Sequence, residues 1–252
     1  NEQAFLQGEM QGITFLFSSG DDGDEVVASG TLQADYPASD PYVLSVGGTS
    51  TGIGSDGSLT LLTGWGTNKY SLSADGSSWT PVGFLYGSGG GFSSLFNRPS
   101  YQDGVVPASA PPGRAVPDVA MNADPNTGML IGETQAFPDG NKYGEYRIGG
   151  TSLASPLFTG MQALHQQTAG RQGLLNPSLY AAARRGTTAF TDVRPVHTGD
   201  GVVRPDYVNS LDPSGGLTYS VRTFNQDSSL TTARGWDDVT GIGVPSPAYV
   251  GG

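Results

Sequence analysis

Residues 149–156 read Gly-Gly-Thr-Ser-Leu-Ala-Ser-Pro, and a one-sided helical pattern begins inside this stretch. Apolar residues recur from here with steps of four, four and three, which is the spacing of one face of an α-helix. These residues are Leu153, Leu157, Met161 and Leu164. Glycines directly before a helix allow a sharp turn out of a strand. The stretch therefore predicts a strand–turn–helix unit, with the helix over 152–168, in a protein of the α/β class.

A serine at the beginning of such a helix has two possible roles. The free N–H groups of the first helical turn can bind a developing oxyanion, and the helix dipole favours negative charge at the same place. Ser152 is on this ground a candidate nucleophile. Serine is also a common N-cap residue, and Ser152 or Thr151 could act only as a cap. The spacing by itself leaves both roles open.

Two short apolar runs precede this unit, at 13–18 and 42–46, and each ends in a glycine-containing turn. Neither run alternates between apolar and polar residues, which favours parallel strands that are buried on both faces. Downstream, Asn176 and Pro177 have the character of a helix N-cap and a first-turn proline. The pattern predicts a mostly parallel central sheet flanked by helices.

The rest of the chain is rich in turn residues, with 39 glycines and 17 prolines among 252 residues. Residues 50–92 and 195–231 are polar and irregular, so we expect loops there, with room for a hairpin in the first stretch. Neither a repeat nor a clear linker divides the sequence. A single loop-rich domain over 1–252 is the simplest organisation.

The charge balance excludes some classes of partner. The chain carries 12 basic and 23 acidic residues, a net charge of −11, and Arg184-Arg185 is its largest basic cluster. Nucleic-acid binding normally requires a basic surface, so it is not expected, and neither is binding to an anionic membrane. No apolar run approaches the length of a transmembrane helix. The chain has no cysteine, which excludes disulfides and thiolate metal sites.

A nucleophilic serine needs a base, and the two histidines are poorly placed to supply it. His165 follows Ser152 by 13 residues, or about 20 Å along the same helix. His197 also follows the serine, in a polar stretch. A Ser-His-Asp triad formed within this chain is therefore not expected.

Two motifs resemble those of the sedolisin family, the serine-carboxyl peptidases, which have a subtilisin-like fold. Residues 150–156 are similar to the nucleophile segment Gly-Thr-Ser-x-x-x-Pro. Residues 19–23, Ser-Gly-Asp-Asp-Gly, resemble the family segment Ser-Gly-Asp-x-Gly. Residues 89–93, 96–99 and 114–120 are also similar to stretches of the family. The resemblance implies a three-layer α/β domain whose N-terminal part lies outside this chain.

The resemblance also implies a function, a secreted endopeptidase that works in acid on proteins or peptides. Ser152 would be the nucleophile that forms an acyl-enzyme, and Asp21 would belong to the oxyanion hole. A protonated carboxyl group can donate a hydrogen bond to the oxyanion, which agrees with an acidic working pH. The expected location is extracellular, with an acidic, lysosome-like compartment as the alternative.

The end of the chain resembles the two halves of the family's calcium site, within residues 191–243. Calcium takes six to eight oxygen ligands from carboxylates, backbone carbonyls and water. By the resemblance, Asp192 and Asp237 supply side-chain oxygens, and Val193, Ala233 and Gly235 supply carbonyl oxygens. One structural Ca²⁺ ion is expected, although both aspartates also fit ordinary turns.

The family's general base, a glutamate assisted by an aspartate, lies on a helix well upstream of the segment that holds Asp21. Glu2 and Glu9 lie too close to the predicted strand at 13–18 to be that pair. We expect the base on a second chain cut from the same precursor; an omitted segment or an inactive remnant are the alternatives. Two other functions stay open: a non-catalytic binding or structural domain, and a subtilisin-type triad enzyme with its histidine upstream.

Overall fold

The computed structural model describes residues 1–197, 199–209, 213–226 and 228–251. The helices are α1 (Glu2–Met10), α2 (Val26–Ser29), α3 (Thr151–Ala169), α4 (Asn176–Arg184) and α5 (Pro247–Gly251). The strands are β1 (Leu16–Ser18), β2 (Leu44–Ile53), β3 (Leu59–Gly64), β4 (Gly66–Leu72), β5 (Trp79–Gly87), β6 (Gly91–Asn97), β7 (Gly113–Val116), β8 (Val119–Asn122), β9 (Met129–Phe137), β10 (Gly140–Ile148), β11 (Phe190–Thr191), β12 (Gly201–Tyr207), β13 (Leu217–Thr223) and β14 (Val244–Pro245).

The central sheet is organised around β2, the second apolar run of the sequence. Residues 44–46 of β2 pair in parallel with β1, and residues 46–49 pair in parallel with β8 on the other side. Beyond this point β2 pairs with β3 in the antiparallel direction. Leu44 and Val46 are completely buried, as expected of strands that are covered on both faces. The parallel sheet predicted from the non-alternating runs is thus present.

Helix α3 covers one face of this sheet and packs against β1, β2 and β8. The helix predicted over 152–168 forms and Leu153 of the predicted apolar stripe is buried, but the rest of the buried face differs from that stripe. Ala154, Phe158 and Gln162 point inward, whereas Leu164 is 48% exposed. Gln162 is buried because the hydroxyl of Tyr249 in α5 donates to its side-chain oxygen, so a polar residue takes a core position. Within the described residues, no helix combines the length and apolar character that a membrane crossing requires.

The stretches expected to be loops contribute much of a second sheet, whose strand order is β12-β13-β4-β5. Its strands come from residues 66–87 and 201–223, so segments that are far apart in sequence pair with one another. The expectation of irregular structure over 195–231 is therefore wrong for 201–207 and 217–223. Residues 198, 210–212 and 227 of this stretch lie outside the described residues.

A buried polar network joins the sheet to α4. Arg114 and Asp118 are both completely buried, and the guanidinium donates to the carboxylate at 2.6 Å. The same carboxylate accepts hydrogen bonds from the hydroxyl of Tyr180 at 2.9 Å and from the side chain of Asn176 at 3.0 Å, both in α4. It also accepts one from the backbone N–H of Ser45 at 2.7 Å. A buried charge is tolerated when it is paired and hydrogen-bonded in this way.

Helix α1 packs on β1 and brings two carboxyl groups together. Phe5 contacts Phe15 and Phe17, with ring centroids 5.1 and 5.5 Å apart. At the end of α1, burial and, to a smaller extent, the charge of Asp40 together raise the pKa of Glu9 to about 7. Glu9 and Asp40 each have one buried carboxyl oxygen without a hydrogen-bond partner among the described residues.

Candidate active site

The candidate nucleophile lies at the beginning of α3, where β10 leads into the helix through two glycines. Gly150 has φ of 91°, a left-handed conformation that favours glycine, and it is the residue before the first helical turn. Ser152 is the second residue of α3 and is exposed. Its hydroxyl makes no hydrogen bond with any residue that the structure describes. The hydroxyl of Ser152 therefore lies beside the backbone N–H of the same residue, while the N–H groups of Thr151, Leu153 and Ala154 already donate to Asp21 or to the carbonyl oxygen of Gly150.

Asp21 lies directly beside this helix end, although 131 positions separate it from Ser152 in the sequence. Its Oδ1 accepts hydrogen bonds from the backbone N–H and the hydroxyl of Thr151, both at 2.7 Å. The hydroxyl of Thr151 also bonds to the carbonyl oxygen of Gly20 at 3.0 Å. A Cβ atom added to Gly150 would lie 2.7 Å from Asp21 Oδ2, so only glycine allows this approach. The structure thus brings together the two residues predicted to be catalytic.

Thr151, which the sequence offers only as a helix cap, holds the two segments together. A threonine at this place can cap a helix or bind a neighbouring loop, and the sequence does not distinguish the two. Here it connects the turn after β1 to the N-terminus of α3. This connection fixes where Asp21 sits relative to Ser152.

A cavity of about 510 Å³ opens beside these residues. Its lining includes Asp21, Asp22 and Gly150, together with the larger side chains of Trp65, Tyr86 and Arg147. The cavity is large enough for a substrate side chain, and it borders the helix end that carries Ser152. Motif reasoning missed Trp65 and Arg147, because they come from β-strand segments with no recognisable signature of their own.

Asp35 is another carboxyl group that the sequence did not single out. It is partly buried, and its Oδ2 lies so close to Gly20 that a Cβ atom there would be 2.4 Å away. Burial raises the pKa of Asp35, and the charges of Asp22 and Asp21 raise it further. Three carboxyl groups are therefore crowded around the turn that holds Asp21.

The histidines are not part of this arrangement. The imidazole of His165 stacks on Tyr249 at 4.7 Å, and its Nδ1 is 2.7 Å from the carbonyl oxygen of that residue. This contact fastens α5 to the middle of α3. His197 is exposed in an irregular segment. Neither histidine forms a contact with Ser152 in the described part of the chain.

The two predicted halves of the calcium site lie next to each other. The backbone N–H of Gly235 donates to Asp192 Oδ1 at 3.1 Å, which joins the segment at 192–193 to the segment at 233–237. Asp237 is buried, and both of its oxygens accept hydrogen bonds, from the backbone N–H groups of Ala233, Val239 and Thr240 and from the Thr240 hydroxyl. Burial raises the pKa of Asp237 to about 6.

These residues fit calcium in donor type, since every predicted ligand is an oxygen and the two segments meet. Val193 is completely buried, so only its backbone carbonyl could serve as a ligand. One feature opposes the ion: the guanidinium of Arg194 lies 2.8 Å from Asp192 Oδ2. A bound cation would have to share Asp192 with Arg194 or displace it. No group of three or more His, Cys, Asp or Glu side chains suited to a metal occurs within the described residues.

Comparisons with known proteins identify the family of the chain. A family model described as the subtilase family matches residues 2–189. Kumamolisin from Bacillus sp. (strain MN-32) is 39% identical over 71% of this chain and 29% of its own length, and sedolisin from Pseudomonas sp. (strain 101) is 33% identical over 79% and 32%. The chain thus spans about a third of these relatives. The structure of Pseudomonas sedolisin complexed with two molecules of pseudo-iodotyrostatin matches 98% of this chain and 57% of that one, at 28% identity and a TM-score of 0.67.

The structural match confirms the predicted subtilisin-like α/β fold, with its parallel sheet and flanking helices. The matching family model covers the segment of Asp21 as well as the segment of Ser152. The identities to kumamolisin and sedolisin agree with the resemblance carried by these two motifs. The chain therefore belongs to the subtilase family, in its sedolisin branch of serine-carboxyl peptidases.

Proposed function

We propose that the protein is a secreted serine-carboxyl endopeptidase that hydrolyses peptide bonds in acid, with residues 1–252 as its peptidase domain. One observation carries the proposal: an exposed Ser152 at a helix N-terminus, next to a carboxyl group docked on the preceding residue. The relatives named above are peptidases of this kind. Protein or peptide substrates are therefore expected for this chain as well.

The arrangement supports an acyl-transfer mechanism. The Ser152 hydroxyl attacks the substrate carbonyl carbon, and its proton passes to a glutamate base that we place outside this chain, on a second chain from the same precursor. The resulting oxyanion lies near the first-turn N–H groups of α3 and near Asp21. Because Thr151 donates two hydrogen bonds to Asp21 Oδ1, the other oxygen, Oδ2, is the one that can carry a proton and donate it. The glutamate returns this proton to the departing amine, and the expulsion of the amine leaves an acyl-enzyme, which water then hydrolyses.

Acid action follows from the same geometry. An ionised Asp21 would repel the oxyanion, whereas a protonated one donates a hydrogen bond to it. Burial and the charges of Asp22 and Asp21 also raise the pKa of the neighbouring Asp35, which favours a protonated carboxyl group beside Asp21 in acid. We therefore expect activity to fall as the pH rises towards neutrality.

Covalent labelling tests the proposal directly. A peptide-aldehyde or fluorophosphonate probe should label the full-length native protein at acid pH, and mass spectrometry should place the adduct on Ser152. Labelling should weaken towards pH 7, because the protonated oxyanion donor is lost. Absence of labelling at every pH would contradict the proposal and favour a non-catalytic binding domain. Stronger labelling at neutral or alkaline pH would favour a subtilisin-type triad enzyme.

We also propose one structural Ca²⁺ ion between the two segments that meet at Asp192 and Gly235. Asp192 and Asp237 would supply carboxylate oxygens, and Val193, Ala233 and Gly235 would supply carbonyl oxygens. The bound ion would hold the end of the chain against the segment after β11. The support is the oxygen-only donor set and the hydrogen bond that already joins the two segments.

Calcium should raise the melting temperature of the protein. At a free concentration about 100 times the dissociation constant, ligand binding stabilises by about 2.7 kcal/mol, which for a chain of this size is roughly 5–10 °C. Differential scanning calorimetry with Ca²⁺, with Mg²⁺ and with a chelator would measure the shift. Asp192→Asn should remove most of the calcium effect, whereas the exposed Asp200→Asn should keep it. An equal response of the two variants would refute the site.

A further inference from the structure

Two residues that line the cavity beside Asp21 carry N–H groups without an acceptor among the described residues. The indole Nε1 of Trp65 is buried, in a residue only 1% exposed, and has no partner among the described residues. The guanidinium of Arg147 donates to the carbonyl oxygen of Gly128 at 2.8 Å, but no described carboxylate lies within salt-bridge distance of it. Both residues line the same cavity. Arg147 is exposed, so its remaining N–H groups are accessible to an oxygen-bearing group in the cavity, whereas Trp65 Nε1 has no accessible surface and cannot reach one.

Both side chains are held in place by their surroundings. Trp65 lies between β3 and β4, and its ring packs against Tyr86 with centroids 5.7 Å apart. A Cβ atom added to Gly48 would lie 2.7 Å from the indole ring, so the ring has little room to move. Arg147 is on β10, five residues before Ser152, and the bond to Gly128 orients its guanidinium. The donors thus have a fixed position relative to the candidate nucleophile.

The positive charge of Arg147 favours a carboxylate over a neutral carbonyl group as its acceptor. Arg204, which lines an adjoining cavity with Arg147, is already paired with Asp206 at 3.1 Å and bonds to Asn126 at 3.4 Å. Within the described part of the chain Arg147 has no such carboxylate partner, so its charge is available to a ligand. A guanidinium binds a carboxylate more strongly than a neutral carbonyl, often through two parallel hydrogen bonds.

We propose that this cavity is a substrate subsite for a carboxylate, with Arg147 as the specificity-determining residue. The proposal rests on the peptidase function proposed above. Asp21 and Asp22 also line the cavity and would repel the carboxylate, so it should lie close to Arg147. The carboxylate can come from an Asp or Glu side chain or from the C-terminus of a peptide, and the test separates these sources.

The preference for Glu peptides over Gln peptides should increase as the pH rises. A side-chain carboxyl of a peptide ionises with a pKa near 4, and a guanidinium attracts only the ionised form. Discrimination between Glu and Gln peptides should therefore increase between about pH 3 and pH 5. A cavity that selected by size alone would give no such trend.

The experiment compares kcat/KM of the full-length protein for matched peptides. One arm exchanges Glu for Gln at each position around the cleavage site, and the other exchanges a C-terminal acid for an amide. At pH 5 one exchange should lower kcat/KM by about tenfold or more, as expected for a charge-assisted hydrogen bond. Arg147→Gln should abolish the preference, Arg147→Lys should keep part of it, and the exposed Arg185→Gln should leave it unchanged.

A preference that survives in Arg147→Gln, or a wild-type protein with no preference in either arm, would overturn the proposal. The same peptides can also be titrated calorimetrically into the Ser152→Ala protein, which reads their affinity without hydrolysis. If the wild-type protein cleaves no peptide, the peptidase function fails. The subsite is still supported if the Ser152→Ala protein binds the Glu peptide more tightly than the Gln peptide and the Ser152→Ala, Arg147→Gln double variant does not. Equal affinities of the Glu and Gln peptides for the Ser152→Ala protein would overturn the subsite, whether or not the peptidase function holds.

Discussion

Replacing Ser152 with Ala is expected to lower kcat/KM of the full-length protein by about 10⁴-fold or more, because removal of a nucleophilic serine takes away the covalent route. The side chain is exposed and makes no hydrogen bond in the described part of the chain, so the substitution should leave stability almost unchanged. The helix N-terminus and Asp21 remain in place, and they account for any residual activity. Steady-state kinetics at acid pH, with thermal melting alongside, measures both effects.

Ser155→Ala provides the matched control for this prediction. Ser155 lies one turn further along the same helix, and its backbone carbonyl accepts a bond from Thr159 that the substitution leaves intact. It should retain most of the wild-type activity. Equal losses in the two variants would mean that the helix start is sensitive to any change, and would remove Ser152 from the nucleophile role. An active Ser152→Ala protein would do the same.

Asp118→Ala is expected to lower the free energy of unfolding by about 3–5 kcal/mol, the usual cost of removing one partner from a buried ion pair. Arg114 has no exposed surface and would keep its charge without the carboxylate that compensates it. Tyr180, Asn176 and the N–H group of Ser45 would lose an acceptor as well. Urea unfolding of the full-length protein, at a pH where it unfolds reversibly, measures the loss.

An exposed pair in the same protein supplies the comparison. Lys142 and Asp139 lie 2.7 Å apart, and both side chains are more than half exposed. Such pairs contribute about 0–1 kcal/mol, so Asp139→Ala should be nearly neutral. A loss below about 1 kcal/mol for Asp118→Ala would show that Arg114 finds another partner or water, and that the network does not hold α4 to the sheet.

Much of the catalytic core could be predicted because its signals are local. The helix of Ser152 is specified by the glycines before it, and β1 and β2 by short apolar runs. The contact between Asp21 and Thr151 could not be read from such signals, since it joins residues 130 positions apart. The family motifs placed Asp21 and Ser152 in one site only because both motifs were present.

The second sheet and the lining of the cavity depend on contacts between residues far apart in the chain, and a single sequence contains little information about such contacts. Residues 201–207 and 217–223 appear irregular in isolation, yet they form β12 and β13 because β4 offers an edge with which β13 pairs. Leu164 was assigned to the core by its spacing, but Gln162 is buried there because Tyr249 supplies its hydrogen bond. Nothing in the local sequence distinguishes Arg147 and Trp65, and only the folded chain shows that both line one cavity.

The protonation of Glu9, at the end of α1, makes the stability of the folded chain depend on pH. The pKa of Glu9 is about 7 in the folded chain and 4.5 in its ordinary state, so between these pH values the native protein holds a proton that the unfolded chain has released. A proton bound only by the native state stabilises it as a ligand would. This contribution is complete below about pH 4.5 and is lost as the pH rises through 7. Acidic pH would thus favour both the proposed chemistry and the stability of the fold around the first helix.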